Sequence, residues 1–194
     1  MGKLIFKYGA MGSSKTAQAL ITRFNYLENN LGVWLIKPST DTRDGEATIK
    51  SRIGLSAEAD IIRSEDNILD LWENYKDCCE IIVADESQFF TKDQIEALRT
   101  IADGKTIVWC FGLKTNFKSE LFEGSKRLIE LADTIEEVKS ICGCGQHAII
   151  NARLDGKGRV VTEGREVLLG GNDRYKPMCH KCYAEACKAA LYRY

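Results

Sequence analysis

Short runs of β-branched and other apolar residues alternate with amphipathic stretches along the first two-thirds of the chain. This alternation is typical of strand–helix units repeated around a largely parallel sheet. The apolar runs predict strands at Leu4–Tyr8, Val33–Lys37, Ile81–Ala84 and Thr106–Gly112. The amphipathic stretches predict helices at Lys15–Asn29, Ile68–Tyr75, Lys92–Ala102 and Ser125–Ala132. After Ile141 the pattern changes, because cysteine pairs bracket a glycine-rich stretch that precedes a last predicted helix, Tyr183–Leu191. We therefore predict an α/β domain over 1–141 and a small second domain over 142–194.

The composition is that of a globular protein with nearly balanced charge. The 194 residues are 44% hydrophobic and 28% charged, and 27 Lys plus Arg stand against 28 Asp plus Glu, giving a formal charge of −1. This balance argues against a mainly electrostatic nucleic-acid binder. No apolar run reaches the roughly 18 residues of a membrane span, and the amino terminus lacks a secretion signal. We expect a cytoplasmic protein that binds neither nucleic acid nor membrane.

A phosphate-binding pattern directly follows the first predicted strand. The segment Gly9-Ala10-Met11-Gly12-Ser13-Ser14-Lys15-Thr16 approximates Gly, four residues, Gly, Lys, then Ser or Thr, and it opens onto a predicted helix. In such a loop, backbone N–H groups and the helix N-terminus bind phosphate oxygens, Lys15 adds a positive charge, and the Thr16 hydroxyl binds Mg²⁺. Ser14 stands where glycine is usual. A serine-rich turn in which Ser13 or Ser14 caps the helix is therefore the alternative, although the position between strand and helix favours the phosphate loop.

Two carboxylates, Asp85 and Glu86, follow the apolar run Ile81–Ala84. A buried strand that ends in an acid supplies the second Mg²⁺ contact of phosphate-loop enzymes, and Asp85 fits that role. Glu86 is placed to take a proton from an attacking hydroxyl or water. A surface acidic pair at a strand end is the alternative, and the phosphate loop upstream favours the nucleotide site.

Eight cysteines in a chain without a secretion signal favour metal binding over disulfides. Four of them form two close pairs, which predict a Zn²⁺ ion held by the thiolates of Cys142, Cys144, Cys179 and Cys182. A closed set of four thiolates leaves no open coordination position, so this zinc is expected to be structural. His180 is a competing ligand, and reduced core cysteines, as expected for Cys78, Cys79 and Cys110, are the alternative.

Two polar segments are candidate substrate loops. Pro38–Ser51 directly follows a predicted strand, where open α/β sheets bind their ligands, and a solvated loop is its alternative. The 34 residues between Cys144 and Cys179 contain Gly164–Tyr175, whose glycines and aromatic suggest a flap that encloses a flat ligand. A β-hairpin with Tyr175 packed on the domain is the alternative for this segment.

In their order along nearly the whole chain, these features resemble the cytosolic-type (type II) thymidine kinases. The features are the phosphate loop with Met11, Asp41-Thr42-Arg43, Asp85-Glu86-Ser87-Gln88-Phe89-Phe90, Gly112-Leu113 ahead of Phe117, the paired cysteines, and Gly170-Gly171 ahead of Tyr175. The resemblance implies a phosphate-loop (RecA-like) α/β fold with a mostly parallel sheet, plus a small C-terminal zinc-binding subdomain carrying a lasso loop. It also implies transfer of the ATP γ-phosphate to the 5′-hydroxyl of thymidine, and of deoxyuridine, in nucleotide salvage. The family further implies a homotetramer that is inhibited by dTTP.

The resemblance assigns roles to individual residues, with Glu86 as the catalytic base. It implies that ATP and Mg²⁺ contact Gly9, Ala10, Met11, Gly12, Ser13, Ser14, Lys15, Thr16, Asp41, Thr42, Arg43, Asp85, Glu86, Ser87 and Gln88. It implies that thymidine contacts Met11, Phe89, Leu113, Phe117, Glu166, Val167, Leu168, Leu169, Gly170 and Tyr175. It also implies that structural zinc is bound by Cys142, Cys144, Cys179 and Cys182. The chain departs from the family pattern at Ser14, at Lys114, and at Asn116, where an acidic residue is expected.

Two other functions fit parts of the sequence. A phosphate-loop ATPase whose motion is coupled to DNA would use the same loop and acid pair, but the balanced charge counts against it. A zinc-ribbon module that recognises nucleic acid or protein is supported by Lys181, Lys188, Arg193 and neighbouring aromatics. ATP turnover stimulated by DNA would indicate the first alternative. Salt-dependent DNA binding that survives loss of Lys15 would indicate the second.

Overall fold

A six-stranded sheet forms the centre of the molecule in the computed structural model, which describes residues 1–41, 47–164 and 174–191. Every neighbouring pair of strands in this sheet is parallel. The strands lie side by side in the order β5 (Asp60–Ile62), β2 (Val33–Pro38), β6 (Ile81–Ala84), β7 (Ile107–Gly112), β1 (Lys3–Tyr8) and β8 (Thr134–Glu137). The predicted parallel α/β architecture is confirmed.

Helices cover both faces of the sheet, which explains why its central strands are nearly continuous apolar runs. Three helices pack on one face, around Leu4, Phe6, Ile36 and Ile82. They are α2 (Ile68–Trp72), α3 (Lys92–Ala102) and α4 (Glu123–Leu131). On the other face, α1 (Lys15–Glu28) packs Ala19 and Leu20 against Leu35, Val83 and Phe111. Among the described residues, no helix is both long and apolar enough to cross a membrane.

The predicted elements agree closely with those observed. The predicted and observed bounds are the same for β6 (Ile81–Ala84) and α3 (Lys92–Ala102). Helix α3 begins at Lys92 because Thr91 and Gln94 form a capping box. Two edge strands, β5 and β8, were not predicted, because they are short and mix polar with apolar residues. Helix α2 ends at Trp72, three residues early, where the hydrogen bond from Tyr75 N–H to the Trp72 carbonyl (2.9 Å) tightens the chain into turns.

A two-stranded hairpin, β3 (Thr48–Lys50) and β4 (Ser56–Glu58), lies beside α1. Ile49 anchors it in the core on that face, and the Lys37 ammonium donates a hydrogen bond to the Thr48 carbonyl at 2.9 Å. The hairpin is therefore held against the carboxyl end of β2.

The cysteine-rich part of the chain forms two small antiparallel sheets and one helix. β9 (Ser140–Ile141) pairs with β10 (His147–Ala148), and β11 (Ile150–Leu154) lies between β12 (Val160–Val161) and β13 (Tyr175–Met178). Helix α5 (His180–Leu191) closes the chain and begins three residues before its predicted start. A division into domains 1–141 and 142–194 stays a prediction.

Candidate active site

The phosphate loop and the acid pair lie at the same edge of the sheet, because they follow the parallel strands β1 and β6. Only β7 separates these two strands, and the carboxyl ends of parallel strands face the same crevice. Gly9 permits the loop to turn closely over the sheet, since a Cβ there would lie only 2.3 Å from the Val138 carbonyl oxygen. The sequence prediction that loop and acids converge therefore agrees with the strand order.

The Lys15 side chain forms hydrogen bonds with residues of its own loop. Its ammonium donates hydrogen bonds to the carbonyls of Gly9 and Ala10, both at 3.0 Å, and to Ser13 Oγ at 3.2 Å. The side chain is buried, so its charge is held directly beneath the loop.

Ser14 has the backbone conformation that glycine adopts without strain. Its φ of 62° and ψ of 24° are left-handed, and its side chain makes no hydrogen bond that caps α1. A left-handed conformation costs a non-glycine residue about 1–2 kcal/mol. The departure from glycine therefore leaves the loop geometry in place at an energetic cost, and the helix-capping alternative is not supported for Ser14.

Asp85 is a buried carboxylate that meets the phosphate loop through Thr16. Burial, followed by the neighbouring charge of Glu86, raises the pKa of Asp85 to about 7, against an opposing hydrogen bond from the Thr16 side chain and the charge of Lys15. Thr16 and Asp85 thus stand together, as expected for two oxygen ligands of one Mg²⁺ ion. These oxygens fit the preference of that hard cation.

Glu86 also has a left-handed backbone, with φ 49° and ψ 35°. Its carboxylate accepts a hydrogen bond from Gln88 Nε2 at 2.5 Å, while Gln88 Oε1 accepts one from the Leu113 N–H at 2.9 Å. Gly112 makes this arrangement possible, because a Cβ there would lie 2.6 Å from Gln88 Oε1. Non-glycine residues in this conformation concentrate at functional sites, and Glu86 directly follows the buried strand β6 and Asp85.

Asp41 is buried beside a lysine that the sequence prediction did not include. The Lys37 ammonium, completely buried at the end of β2, lies 3.8 Å from Asp41 Oδ2. A cation at the carboxyl end of a strand was a usable sequence signal, since that is where α/β folds bind ligands. The predicted partners Thr42 and Arg43 lie outside the described residues.

Phe117 and Tyr175, two predicted contacts of thymidine, are joined by Arg153. Arg153 Cζ lies 3.6 Å from the centroid of the Phe117 ring, and the Tyr175 hydroxyl accepts hydrogen bonds from Arg153 Nε (3.0 Å) and Nη2 (2.7 Å). Arg153 is on β11, directly opposite Tyr175 on β13. It was missed because nothing in its local sequence distinguishes it from an exposed arginine of a hairpin.

Met11, a further predicted contact, is tied to β11 by Asn151. Its N–H donates to Asn151 Oδ1 at 2.7 Å, and Asn151 Nδ2 donates to the Thr115 carbonyl at 3.2 Å. This buried amide, also missed from sequence, links the phosphate loop to the segment that precedes Phe117. Phe89 directly follows Gln88, Leu113 donates its N–H to Gln88 Oε1, and both side chains are half-buried. The predicted lasso contacts lie outside the described residues; they are Glu166, Val167, Leu168, Leu169 and Gly170.

Asn116 organises the turn that carries Phe117. Its Oδ1 accepts hydrogen bonds from the N–H groups of Lys118 (2.9 Å) and Glu120 (3.1 Å), and its Nδ2 donates to Glu120 Oε2 at 3.3 Å. An aspartate would keep both acceptor bonds but would face the Glu120 carboxylate. Asparagine at position 116 is therefore compatible with Glu120, because its Nδ2 donates to the Glu120 carboxylate. Lys114, the other departure, places its ammonium 5.1 Å from the centroid of the Tyr8 ring.

Four thiols are gathered where the sequence predicted a zinc site. The sulfurs of Cys142, Cys144, Cys179 and Cys182 all lie within 4.8 Å of one another. The Cys144 and Cys179 sulfurs are 3.7 Å apart, close to the separation of about 3.8 Å that tetrahedral Zn–S bonds of about 2.3 Å require. Backbone hydrogen bonds from Cys144 and Cys179 lower the pKa of Cys142 to about 6, which favours the thiolate that a metal binds. The residues fit zinc.

Comparison with known proteins gives one consistent family. The sequence model of the family described as thymidine kinase matches residues 2–183. The thymidine kinase of Listeria innocua is 43% identical over 186 residues, covering 95% of this chain and 97% of that protein. The thymidine kinases of Shewanella oneidensis (38% over 191 residues, 95% of this chain and 98% of that protein) and Haemophilus influenzae (39% over 190 residues, 96% and 98%) are also similar.

A solved structure gives a weaker similarity. The ATPase DotB of Yersinia pseudotuberculosis superposes with a TM-score of 0.39 at 16% sequence identity, over 75% of this chain and 41% of that chain. The fold assignment depends on the strand order of the sheet, not on this similarity.

Proposed function

Because the chain belongs to the thymidine kinase family, we propose that it transfers the γ-phosphate of ATP to the 5′-hydroxyl of thymidine, giving dTMP and ADP in nucleotide salvage. The observation that carries the proposal is the contact between Thr16 of the phosphate loop and Asp85 at the end of β6, next to Glu86. A triphosphate site and a candidate base are thereby at one sheet edge. Deoxyuridine, which lacks only the methyl group of thymidine, is a second acceptor.

The phosphate loop binds the triphosphate through its N–H groups and the helix N-terminus of α1. Lys15 leaves the carbonyls of Gly9 and Ala10 to contact phosphate oxygens, exchanging internal hydrogen bonds for charge-assisted ones. Thr16 and Asp85 would hold the Mg²⁺ ion that accompanies ATP, with Asp41 and Gln88 nearby at the same edge. That ion would neutralise part of the negative charge on the phosphates.

Glu86 takes the proton as the thymidine 5′-oxygen attacks the γ-phosphorus. The new P–O bond forms while the bond from the γ-phosphorus to the bridging oxygen of ADP breaks, and the proton passes from Glu86 to solvent. Gln88 fixes the orientation of the Glu86 carboxylate through its 2.5 Å hydrogen bond. Positioning of this kind is the main demand of phosphoryl transfer, since the protein forms no covalent bond to the substrate.

Thymidine lies between the acid pair and the residues of β11 and β13. Met11, Phe89, Leu113, Phe117 and Tyr175 bound its site, and the contacts that the family implies at 166–170 belong to the same proposal. Zinc held by the four cysteines would join the pair Cys142 and Cys144 to the pair Cys179 and Cys182. The end product dTTP carries both thymine and a triphosphate, so it competes for these two subsites.

A homotetramer in the cytoplasm completes the proposal. It is supported by exposed apolar residues along one side of α1, namely Ile21, Phe24 and Leu27, which are 45%, 58% and 39% exposed. Apolar side chains clustered on a helix surface favour burial against another surface.

The decisive experiment measures transfer of γ-labelled phosphate from ATP to thymidine by the purified full chain, with Glu86→Gln and Glu185→Gln as paired variants. Glu185 is exposed on α5 and serves as the matched control. We expect wild-type and Glu185→Gln proteins to form labelled dTMP, and Glu86→Gln to be slower by about 100-fold or more. A wild-type protein that ignores thymidine and deoxyuridine rejects the function, and full activity of Glu86→Gln rejects the base assignment.

A further inference from the structure

Arg52 is held at the tip of the β3–β4 hairpin by a well-formed turn. The Ser51 N–H donates to the Leu55 carbonyl at 2.8 Å, the Leu55 N–H donates to Ser51 Oγ at 3.0 Å, and the Gly54 N–H donates to the Ser51 carbonyl at 3.1 Å. Ser51 is buried, whereas Arg52 is exposed. The turn therefore fixes the backbone of Arg52 while its side chain extends outward.

The side chain of Arg52 extends over the phosphate loop. A Cβ built on Gly12 would lie 3.9 Å from Arg52 Nη1, and apart from the neighbours of Gly12 in the chain no other heavy atom of the described residues lies within 4 Å of it. Gly12 is the third residue between Gly9 and Lys15 that the phosphate pattern leaves variable. The guanidinium thus lies beside Gly12, an exposed residue of the loop, whereas the Lys15 side chain is buried.

Arg52 has no carboxylate partner among residues 1–41, 47–164 and 174–191, and no ring contact there. Two described cations at this sheet edge have partners, since Lys15 binds loop carbonyls and Lys37 contacts Asp41 and Thr48. A guanidinium presents five N–H donors in a planar arrangement that matches two oxygens of a phosphate. The Arg52 guanidinium is therefore suited to bind an anion held in the phosphate loop.

We propose that Arg52 contacts the triphosphate of ATP and stabilises the negative charge that it carries during transfer. The proposal rests on the proposed kinase function and adds a residue that was not among the predicted contacts. Lys15 approaches the phosphates from beneath the loop, and Arg52 approaches them from the β3–β4 hairpin above it. Two cations on opposite sides hold the triphosphate in line and neutralise it without a change in the sheet. Arginine suits the outer position because its planar guanidinium can donate to two phosphate oxygens at once.

The test compares Arg52→Gln, Arg52→Lys and Lys50→Gln in the full chain. Lys50 is exposed on the same hairpin, so Lys50→Gln removes one charge at a matched place. Titration calorimetry measures the affinities for MgATP and for adenosine, and steady-state assays measure kcat and both KM values. Thermal unfolding of each variant establishes that it is folded.

We expect Arg52→Gln to lower kcat/KM for ATP by about 100-fold and Arg52→Lys by about 10-fold, with the KM for thymidine changed less than about twofold. MgATP binding weakens and becomes less sensitive to salt, while adenosine binding is unchanged because adenosine has no phosphate. Lys50→Gln behaves as wild type.

The inference is overturned if Arg52→Gln binds MgATP and turns over as wild type does, or if Lys50→Gln loses as much. An equal loss of adenosine binding also overturns it, because the defect would not concern phosphate. If the wild-type protein binds MgATP in an Arg52-dependent way but phosphorylates no deoxynucleoside, the proposed function fails and the phosphate contact stands.

Discussion

The guanidinium of Arg153 lies against the face of Phe117, with Cζ 3.6 Å from the ring centroid, and the ring is only 1% exposed. The same guanidinium donates two hydrogen bonds to the Tyr175 hydroxyl. The space between the two aromatics is thus occupied by an arginine. Phe117 and Tyr175 are held in one arrangement by a third residue, so their positions depend on it.

Replacing Arg153 should therefore weaken thymidine binding more than ATP binding. Lysine keeps the charge but loses the planar stack and one of the donors to Tyr175, and methionine loses all three. We expect the KM for thymidine to rise about 10-fold in Arg153→Lys and more in Arg153→Met, with the KM for ATP within about twofold. Steady-state kinetics with each substrate varied in turn provide the measurement.

Tyr175→Phe is the matched control, since it removes only the hydroxyl that Arg153 contacts. If Arg153 acts through this hydroxyl, the double variant Arg153→Lys with Tyr175→Phe is no worse than the poorer single variant. Independent, additive effects would contradict the coupling, as would an unchanged thymidine KM in Arg153→Lys.

Ser14→Gly should stabilise the protein. The substitution relieves a left-handed backbone that costs a serine about 1–2 kcal/mol, but it adds about 0.4–1 kcal/mol of chain entropy to the unfolded state. We expect the free energy of unfolding to rise by about 0.5–1 kcal/mol, measured by urea denaturation. Ser119→Gly, at an exposed residue with φ 66°, should give a similar gain away from the loop. A gain at Ser119 alone would show that Ser14 makes contacts that outweigh its strain.

How far sequence predicts this site depends on whether a residue acts through its local pattern. Gly9–Thr16 and Asp85–Glu86 were predicted because each follows an apolar strand, and parallel pairing then brings them to one edge. Arg153 and Asn151 could not be found in this way, because their partners Phe117 and Met11 are 36 and 140 residues distant and on other elements. Tertiary pairing of β11 with β13, which no local period encodes, likewise places Arg153 opposite Tyr175.

Edge strands show the same limit within the fold. β5 and β8 each pair on one side only, so their sequences carry fewer apolar residues than the central strands and resemble loops. The central strands β6 and β7 were predicted within one residue, because burial on both faces forces continuous apolar runs.

The carboxyl of Asp85 should make the protein less stable at higher pH. Its pKa is raised from 3.8 to about 7, so between these values the folded protein holds a proton that the unfolded chain has released. Stability from this group is therefore present at low pH and is lost as pH rises towards 7. Without added Mg²⁺ or nucleotide, we expect the free energy of unfolding of Asp85→Asn to exceed that of wild type by on the order of 2 kcal/mol at pH 8. This difference should shrink towards pH 4.

Asp133→Asn provides a control of opposite sign. The pKa of Asp133 is lowered by hydrogen bonds from Arg99 and the Leu4 N–H, so its stabilisation is present above pH 4 and lost in acid. We expect Asp133→Asn to be less stable than wild type at pH 8 and equal to it at low pH. An Asp85→Asn protein that is destabilised at pH 8 would contradict the buried, unfavourable carboxylate.

Phe24 should be needed for assembly of the proposed homotetramer. It is the most exposed of the three apolar residues on one side of α1, and a charge there would have to be buried in an interface. We expect sedimentation velocity to show tetramers for wild type and smaller species for Phe24→Glu. Asn25→Glu, which adds the same charge to the adjacent exposed position, should leave the assembly intact. A wild-type monomer, or tetramers of Phe24→Glu, would reject the role of this surface.

Zinc should be bound by Cys182 and not by Cys187, although both thiols are on α5 and both are half-buried. Cys182 is surrounded by the thiols of Cys144, Cys179 and Cys142, and their hydrogen bonds and charge raise its pKa to about 12. A divalent cation removes this penalty, because it binds the thiolates and neutralises their repulsion. We expect plasma emission spectrometry to find one zinc per wild-type chain, one per Cys187→Ser chain and less than about a tenth of that in Cys182→Ser. Removal of zinc by a chelator should lower the unfolding temperature of wild type and Cys187→Ser but hardly change that of Cys182→Ser, which has already lost the ion. Equal zinc contents in the two variants would contradict the four-thiolate site.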